Sequence, residues 1–289
     1  MLDKLIAILI SGMILGSIYA LMSLGLSLIW GILKVLNWAH GALFMFAAYI
    51  TWFFIYVLGF SYLVSVFICL AILFLMGLAL YYSLIKPFLQ KPNFLLATII
   101  STLGFAVMSE SIALILFGSR YKKIESPISG SIIIGTSPIT GGNFLILSAS
   151  IITFIVIYLF LTKTKYGLAL RAVAQNLDGA RVVGINVDKI YAYTVGISAV
   201  LAAIAGILVS SIYFIEPHVG FIPMMKAFVA IVLGGLGSWK GTMIAAYVTG
   251  IIEAAASLLV GLMWALPTLF LMMMLILVIK PTGFFGYEE

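Results

Sequence analysis

The stretch FLILSASIITFIVIYLFL (144–161) decides the fold class, because its 18 residues include no charged side chain. An apolar run of that length is typical of an α-helix that crosses a lipid bilayer. Comparable runs recur at roughly 8–33, 41–59, 61–85, 93–118, 190–215, 221–237, 241–262 and 263–280. The sequence therefore predicts an all-α, polytopic transmembrane helical bundle with about eight or nine membrane-crossing segments. The first run is long enough to contain a break and the run at 221–237 is short, so broken or re-entrant helices fit the same pattern.

The composition excludes a soluble globular domain. Hydrophobic residues occupy 64% of the 289 positions and charged residues only 8%, whereas a soluble domain carries about 25% charged residues. The net charge is +6, and in a membrane protein lysine and arginine accumulate on cytoplasmic loops. The positive charge therefore does not indicate nucleic acid, and the expected partner is a lipid membrane. One cysteine and two histidines leave almost no capacity for a structural metal site, so no metal and no cofactor are expected.

The basic residues of the connectors predict the orientation of the chain. Alternate connectors form two sets, and the set richer in lysine and arginine is assigned to the cytoplasm. The richer set holds ten (Lys34, Lys86, Lys91, Lys163, Lys165, Arg171, Arg181, Lys189, Lys240 and Lys280) and the other holds five (Lys4, Arg120, Lys122, Lys123 and Lys226). This assignment places 162–189 and the C-terminus inside and the loop 119–143 outside. No long linker divides the chain, so 1–289 are expected to form one transmembrane domain, with the N-terminal apolar run retained as its first span.

One polar stretch stands out from the apolar background, TKTKYGLALRAVAQNLDGARVVGINVDK (162–189). It holds seven of the 24 charged residues in 28 positions. Small and apolar residues recur in it at spacings of three or four, which predicts a short amphipathic helix ended by Gly184. The polar face carries Arg171, Gln175 and Asp178, and Asp178 can pair with Arg181. The small-residue stripe consists of Ala169, Ala172, Val173, Leu177, Ala180 and Gly184.

Two interpretations of this helix are open. It can lie on lipid headgroups through its positive charge, or it can insert into a groove on a cytoplasmic partner. A helix on a lipid surface normally presents bulky leucine, phenylalanine or tryptophan side chains. The alanine and glycine stripe therefore favours the partner.

Four blocks together resemble the LivH-type permeases of ATP-binding-cassette importers for branched-chain amino acids. They are GLSLIWGILKVLNWAHGALFMFAAY (25–49), KYGLALRAVAQNLDGARVVGINV (165–187), VAIVLGGLGSWKGTMIAAYVTG (229–250) and IKPTGFFG (279–286). The fourth block departs from the family, which usually has arginine at the position of Lys280. The resemblance implies a multi-pass protein of the cell (inner) membrane that carries leucine, isoleucine or valine. Related permeases move urea, short amides or other amino acids.

The resemblance also implies partners. These are two cytoplasmic ATP-binding subunits, a second related permease subunit (a heterodimer is favoured over a homodimer) and an extracytoplasmic substrate-binding protein. It assigns the coupling to the ATPase to Gly167, Arg171, Ala172, Asn176, Ala180, Gly184 and Ile185. The chain itself is expected to be no enzyme, because GGLGSWKGT (234–242) lacks the adjacent Gly-Lys-Ser/Thr of a P-loop and predicts a tight turn instead.

Four polar residues in or beside apolar runs are candidates for the translocation pathway: Asn37, His40, Glu110 and Glu253. Asn37 and His40, in LNWAHG (36–41), fit either an interfacial turn or a helix start near the pathway. A carboxylate in hydrocarbon costs at least ~2.5 kcal/mol, so Glu110 and Glu253 should face protein or water. Whether each acid lines the pathway or only bonds a neighbouring helix is open.

A second class of function remains, a self-sufficient secondary transporter or channel for a small polar solute such as urea or an amide. The two intramembrane acids could relay protons in such a protein. Against it, the sequence predicts no intramembrane lysine, arginine or histidine, and the polar stretch 162–189 would have no role. The importer subunit is the preferred hypothesis.

Overall fold

The computed structural model describes residues 2–134 and 137–286, and within these ranges the chain is almost entirely helical. The connectors carry a π-helical turn, Tyr81–Ile85, and two 3-10 turns, Lys86–Phe88 and Leu262–Trp264. The eleven α-helices of the described part are α1 Leu2–Leu33, α2 His40–Tyr56, α3 Tyr62–Leu80, α4 Phe94–Phe117, α5 Gly141–Lys163, α6 Lys165–Gln175, α7 Leu177–Val182, α8 Val187–Val209, α9 Phe221–Gly234, α10 Trp239–Leu259 and α11 Ala265–Ile279.

The expected α-helical, polytopic membrane architecture is confirmed, but the count of eight or nine crossings is not. Within the described residues, seven helices are long and apolar enough to cross a membrane. The apolar runs predicted at 41–59 and 221–237 form the shorter helices α2 and α9, of 17 and 14 residues. At 1.5 Å per residue they measure about 25 Å and 21 Å, less than the ~30 Å hydrocarbon core. A small antiparallel hairpin, β1 Ser131–Ile134 and β2 Ser137–Thr140, interrupts the all-α pattern in the loop between α4 and α5.

Helix α1 runs through the centre of the bundle without the break that its length allowed. It packs most extensively against α10 and also contacts α5, α8 and α9. The contact with α10 is close because α1 presents glycine there. A Cβ atom on Gly12 would lie 2.6 Å from the Cα of Ile251, and one on Gly16 would lie 2.8 Å from the Cα of Tyr247. Gly12 and Gly16, four residues apart on α1, thus serve a contact within the chain.

Helices α2 and α9 both begin inside the bundle, after irregular segments at 34–39 and 210–220. The two helix starts meet, because a Cβ atom on Gly41 or on Gly220 would overlap the carbonyl group of the other. His40, the first residue of α2, is fully buried. Irregular backbone at membrane depth is tolerated only where protein or a cavity covers it. The buried core of α1, α3 and α8 supplies that cover.

The outer surface of the bundle is apolar. Large hydrophobic side chains are exposed along α4, α5 and α11, including Ile100, Ile115, Ile152 and Val278. In water such a surface would favour aggregation, whereas lipid tails or a second apolar subunit satisfy it. The distribution is that of a membrane protein whose polar groups are turned inward.

The close α1–α10 contact predicts a position-specific cost for adding one methyl group. We expect Gly16→Ala to lower the free energy of unfolding in detergent by about 1–3 kcal/mol, because the added Cβ would press on the α10 backbone. Gly104→Ala is the matched control, since a Cβ on Gly104 in α4 meets nothing within 4 Å. Thermal unfolding followed by tryptophan fluorescence measures both variants. Equal stability of the two variants would contradict the packing described here.

Candidate functional site

The polar stretch between α5 and α8 forms two short helices where one was predicted. Asn176 has extended backbone angles, and its Oδ1 accepts a hydrogen bond from the Gly179 N–H at 2.9 Å. Asparagine is a favoured N-cap residue, so Asn176 ends α6 and starts α7. The prediction that Gly184 ends the helical stretch is confirmed, with φ of +84° and Ile185 N–H bonded to the Ala180 carbonyl.

Most of the small-residue stripe of this segment faces the chain's own core and not a partner, and only Gly184 in it is exposed. Val173 and Ala180 are buried in a cluster with residues of α1, α5 and α8. Gly167 is buried too, and a Cβ there would overlap the backbone of Phe160 and Leu161 at the end of α5. The physical reason is that α6 and α7 use their small residues to pack closely against the bundle that carries them.

The opposite face of α6 and α7 is open. Val182 and Val183 are 87% and 73% exposed, and the predicted Asp178–Arg181 pair is present at 3.4 Å on the same side. The seven predicted coupling residues therefore divide between two faces. Arg171, Asn176 and Gly184 are exposed, Ala172 and Ile185 are partly buried, and Gly167 and Ala180 are buried.

A hydrogen-bonded network ties the end of this segment to the bundle. Asp188, in the first turn of α8, accepts hydrogen bonds from the Tyr81 hydroxyl at 2.7 Å and from Lys86 Nζ at 2.9 Å. Tyr81 opens the π-helical turn that follows α3. A cavity of about 650 Å³ lies beside the network, between it and α6. Sequence reasoning missed this network, although Lys86 and Asp188 both stood on connectors assigned to the cytoplasm.

Asn37 and His40 lie at the start of α2, where both side chains are buried inside the bundle. His40 Nε2 is 3.1 Å from the Met22 carbonyl and Nδ1 is 3.4 Å from Ser198 Oγ, so the ring bridges α1 and α8. Asn37 Oδ1 accepts from the Ala39 N–H at 3.1 Å, and its buried Nδ2 has no partner among the described residues. The structure shows the helix start, and whether these residues line the pathway stays a prediction.

Glu110 lies on a cavity of about 390 Å³ where the starts of α2 and α9 face α4. Its carboxylate is 2.9 Å from Nδ1 of His218, which belongs to the irregular segment before α9. Trp38, Glu216 and Phe221 also line this cavity. The sequence placed Glu110 in a span but gave no sign that the segment 210–220 folds back to meet it.

Glu253 has two strong hydrogen-bond donors. Tyr19 donates its hydroxyl proton to Oε2 at 2.6 Å, and Lys226 Nζ donates to Oε1 at 2.6 Å. The side chains of Lys226 and Glu253 are only 15% and 5% exposed. The assignment of Lys226 to an extracytoplasmic connector, and with it the expected lack of an intramembrane cation, is wrong. Helix α9 starts at Phe221, directly after the buried Gly220, and its first turns carry Lys226 beside the acid.

The four pathway candidates therefore do not converge on one site. Asn37 and His40 belong to the start of α2, Glu110 to the cavity beside α4, and Glu253 to a second cavity of about 550 Å³ beside α1. The two cavities share Glu216, His218 and Ile222, and so lie on either side of the segment before α9. Among the described residues, no group of three or more histidine, cysteine or acidic side chains could hold a metal ion.

The buried Lys226–Glu253 pair predicts a non-additive effect on stability. We expect Lys226→Met to lower the free energy of unfolding by about 3–5 kcal/mol, because it leaves a carboxylate without its counter-charge. Lys226→Met/Glu253→Met should recover most of that loss, since an apolar pair needs no counter-charge. Chemical denaturation in detergent measures both variants. A double variant less stable than the single one would contradict the assignment.

Comparison with known proteins identifies the family. The sequence profile described as "Branched-chain amino acid transport system / permease component" matches residues 8–279. LivH proteins, named as high-affinity branched-chain amino acid transport system permease proteins, are similar. Those of Salmonella typhimurium and Escherichia coli K12 are each 31% identical, over 96% of this chain and 94% of theirs. BraD of Pseudomonas aeruginosa, of the same description, is 32% identical over 97% of this chain and 95% of its own. The chain therefore belongs to the LivH-type permease family of transport components, and it is a multi-pass protein of the cell (inner) membrane.

Proposed function

We propose that this chain is the membrane-spanning permease subunit of an ATP-binding-cassette importer for the branched-chain amino acids leucine, isoleucine and valine. Residues 1–289 form one transmembrane permease domain, and 162–189 form its cytoplasmic coupling segment. The observation that carries the proposal is the two-faced structure of α6 and α7. One face is fixed in the bundle and the other is free for a partner. Relatives named as branched-chain amino acid transport permeases support the assignment of these amino acids as the transported substrates.

The order of the helices supports a complete topology. We propose that α2 crosses the bilayer once, together with the irregular segment before it. We propose the same for α9 and the segment before it. With the seven longer helices, that gives nine crossings. The N-terminus and the hairpin of β1 and β2 then lie outside, and α6, α7 and the C-terminus lie inside. The coupling segment thus shares its side of the membrane with ATP.

The energy has to come from partner subunits. The segment GGLGSWKGT, which lacks the order of a P-loop, lies at the junction of α9 and α10, and positive φ angles at Gly235 and Gly237 turn the backbone there. Two cytoplasmic ATP-binding subunits fit the exposed face of α6 and α7. A second permease subunit, related to this chain, completes the pathway, and an extracytoplasmic binding protein delivers the amino acid.

The contacts of α6 and α7 offer a route by which movement of an ATPase reaches the pathway. A push on the exposed face acts on the end of α5, because Gly167 is packed against the backbone of Phe160 and Leu161 there. It also acts on α8, which shares a buried cluster with Ala180. Helix α8 in turn lies against α2, where a Cβ on Gly206 would overlap the Phe44 carbonyl. A displacement of α8 therefore reaches the start of α2 through rigid contacts.

An exposed-face substitution tests the coupling segment. We expect Val182→Asp and Val183→Asp to reduce copurification of the ATPase subunits and ATP-driven leucine uptake at least about tenfold, because a buried, unpaired charge opposes an apolar interface. Both side chains are largely exposed, so folding of the permease should be unaffected.

The matched control is Ile132→Asp, in the hairpin on the other side of the membrane, where the side chain is 70% exposed. It introduces the same charge without touching α6 or α7, and copurification of the ATPase subunits should match that of the unchanged protein. If the valine variants retain the ATPase subunits as well as this control does, the docking face lies elsewhere.

The buried Lys226–Glu253 pair is the observation that favours the alternative, a self-sufficient secondary transporter for a solute such as urea or an amide. The purified chain alone, in liposomes with an imposed proton gradient, separates the two functions. We expect no uptake of leucine or urea above that of protein-free liposomes. Gradient-driven uptake by the chain alone would replace the importer proposal by the alternative.

A further inference from the structure

The cavity beside α1 has the size and the lining of a small-ligand site. Its volume of about 550 Å³ lies within the ~300–1,000 Å³ that is usual for ligand pockets. Tyr19, Lys226 and Glu253 form one wall. The remaining lining is mostly apolar and includes Leu15, Ile18, Val209, Ile222 and Leu262. Glu216 and His218, from the segment before α9, also line the cavity.

The charged wall has unused hydrogen-bonding capacity. The carboxylate of Glu253 can accept about four hydrogen bonds and receives two, from Tyr19 and Lys226. The ammonium group of Lys226 has three donors, of which one is used for Glu253. Lys226 is also the more exposed partner, at 15% against 5%, and its Nζ lies 5.6 Å from the centre of the Tyr19 ring. The pair can therefore accept a further ligand without breaking apart.

A buried ion pair is a poor device for stability alone, since an apolar pair of similar volume is often as stable or more so. However, its two adjacent charges can bind a second pair of opposite charges, with each positive group facing a negative one. A free α-amino acid offers that arrangement, because its ammonium and carboxylate groups are attached to the same carbon. The four charges then sum to zero, so no net charge is added to the membrane interior.

We propose that Lys226 and Glu253, with Tyr19, form the intramembrane site that recognises the zwitterionic head of the transported amino acid. Lys226 donates to the substrate carboxylate, and Glu253 accepts from the substrate ammonium group. The apolar wall of Leu15, Ile18 and Val209 receives the aliphatic side chain. This inference rests on the proposed function as an amino-acid importer and names the group of the substrate that the permease itself contacts.

The site sets a chemical rule for its ligands. L-Leucine has both charges, L-leucinamide lacks the carboxylate, and 4-methyl-2-oxopentanoate lacks the ammonium group. Leucinamide would leave Lys226 without a substrate carboxylate, and the oxo acid would leave Glu253 without a substrate ammonium group. Both compounds should therefore bind about ten- to a hundredfold more weakly than leucine. Urea, which has neither charge, should not compete.

Protection of an introduced cysteine measures binding at this site. Tyr213 lines the cavity and is half exposed, whereas the native Cys69 is buried and gives a low background. In the complete transporter without ATP, L-leucine should slow labelling of Tyr213→Cys by a membrane-impermeant maleimide. L-Leucinamide and 4-methyl-2-oxopentanoate should need at least about tenfold higher concentrations for the same protection.

Two paired substitutions in the Tyr213→Cys protein complete the test. Lys226→Met/Glu253→Met, which keeps the wall apolar and uncharged, should remove protection by L-leucine. Lys86→Met/Asp188→Met removes a second, partly exposed lysine–carboxylate contact, near the coupling segment and away from this cavity, and should leave protection unchanged. Equal protection by leucine and leucinamide, or full protection in the Lys226 and Glu253 double variant, would overturn the assignment.

ATP-driven leucine uptake by the Tyr213→Cys transporter is measured in parallel, so that the two proposals can fail separately. Uptake without charge-dependent protection would reject the zwitterion site and leave the importer function standing. If the transporter with the natural sequence showed no ATP-dependent leucine uptake, the importer function itself would be rejected.

Discussion

Irregular backbone inside a lipid bilayer has to be covered by protein, and this requirement organises the rest of the molecule. Helices α2 and α9 start within the bundle, where Gly41 and Gly220 bring two backbones into contact. Around that contact, His40 bridges α1 and α8, and the segment before α9 separates the two cavities. The position of Lys226 follows from the same helix start, because the first turns of α9 carry the lysine beside Glu253.

The sequence predicts those parts of the structure that depend on local chemistry. Runs without charge predict helices that cross the bilayer, and Gly184 predicts a helix end because its φ of +84° costs little without a Cβ. The Asp178–Arg181 pair likewise follows from helical spacing. Each of these features is decided by neighbours along the chain.

The features that the sequence could not predict depend on what lies across the fold. Helical spacing groups Val173 and Ala180 on one face, but a partner's groove and the chain's own core both favour small apolar residues there. The depth at which α2 and α9 begin is set by the Gly41–Gly220 contact, which joins positions far apart in the chain. One signal was available, since a buried Glu253 requires a counter-charge and Lys226 stood in the neighbouring apolar run.

The neutrality of the Lys226–Glu253 pair has a further consequence for a protein in an energised membrane. One elementary charge that moves through the full transmembrane potential gains or loses about 2.3 kcal/mol per 100 mV. A lysine and a glutamate whose Nζ and Oε1 atoms are 2.6 Å apart move as a dipole with no net charge. When α9 rearranges against α10 and the two stay together, the pair itself therefore does almost no electrical work and adds little voltage dependence to the rate.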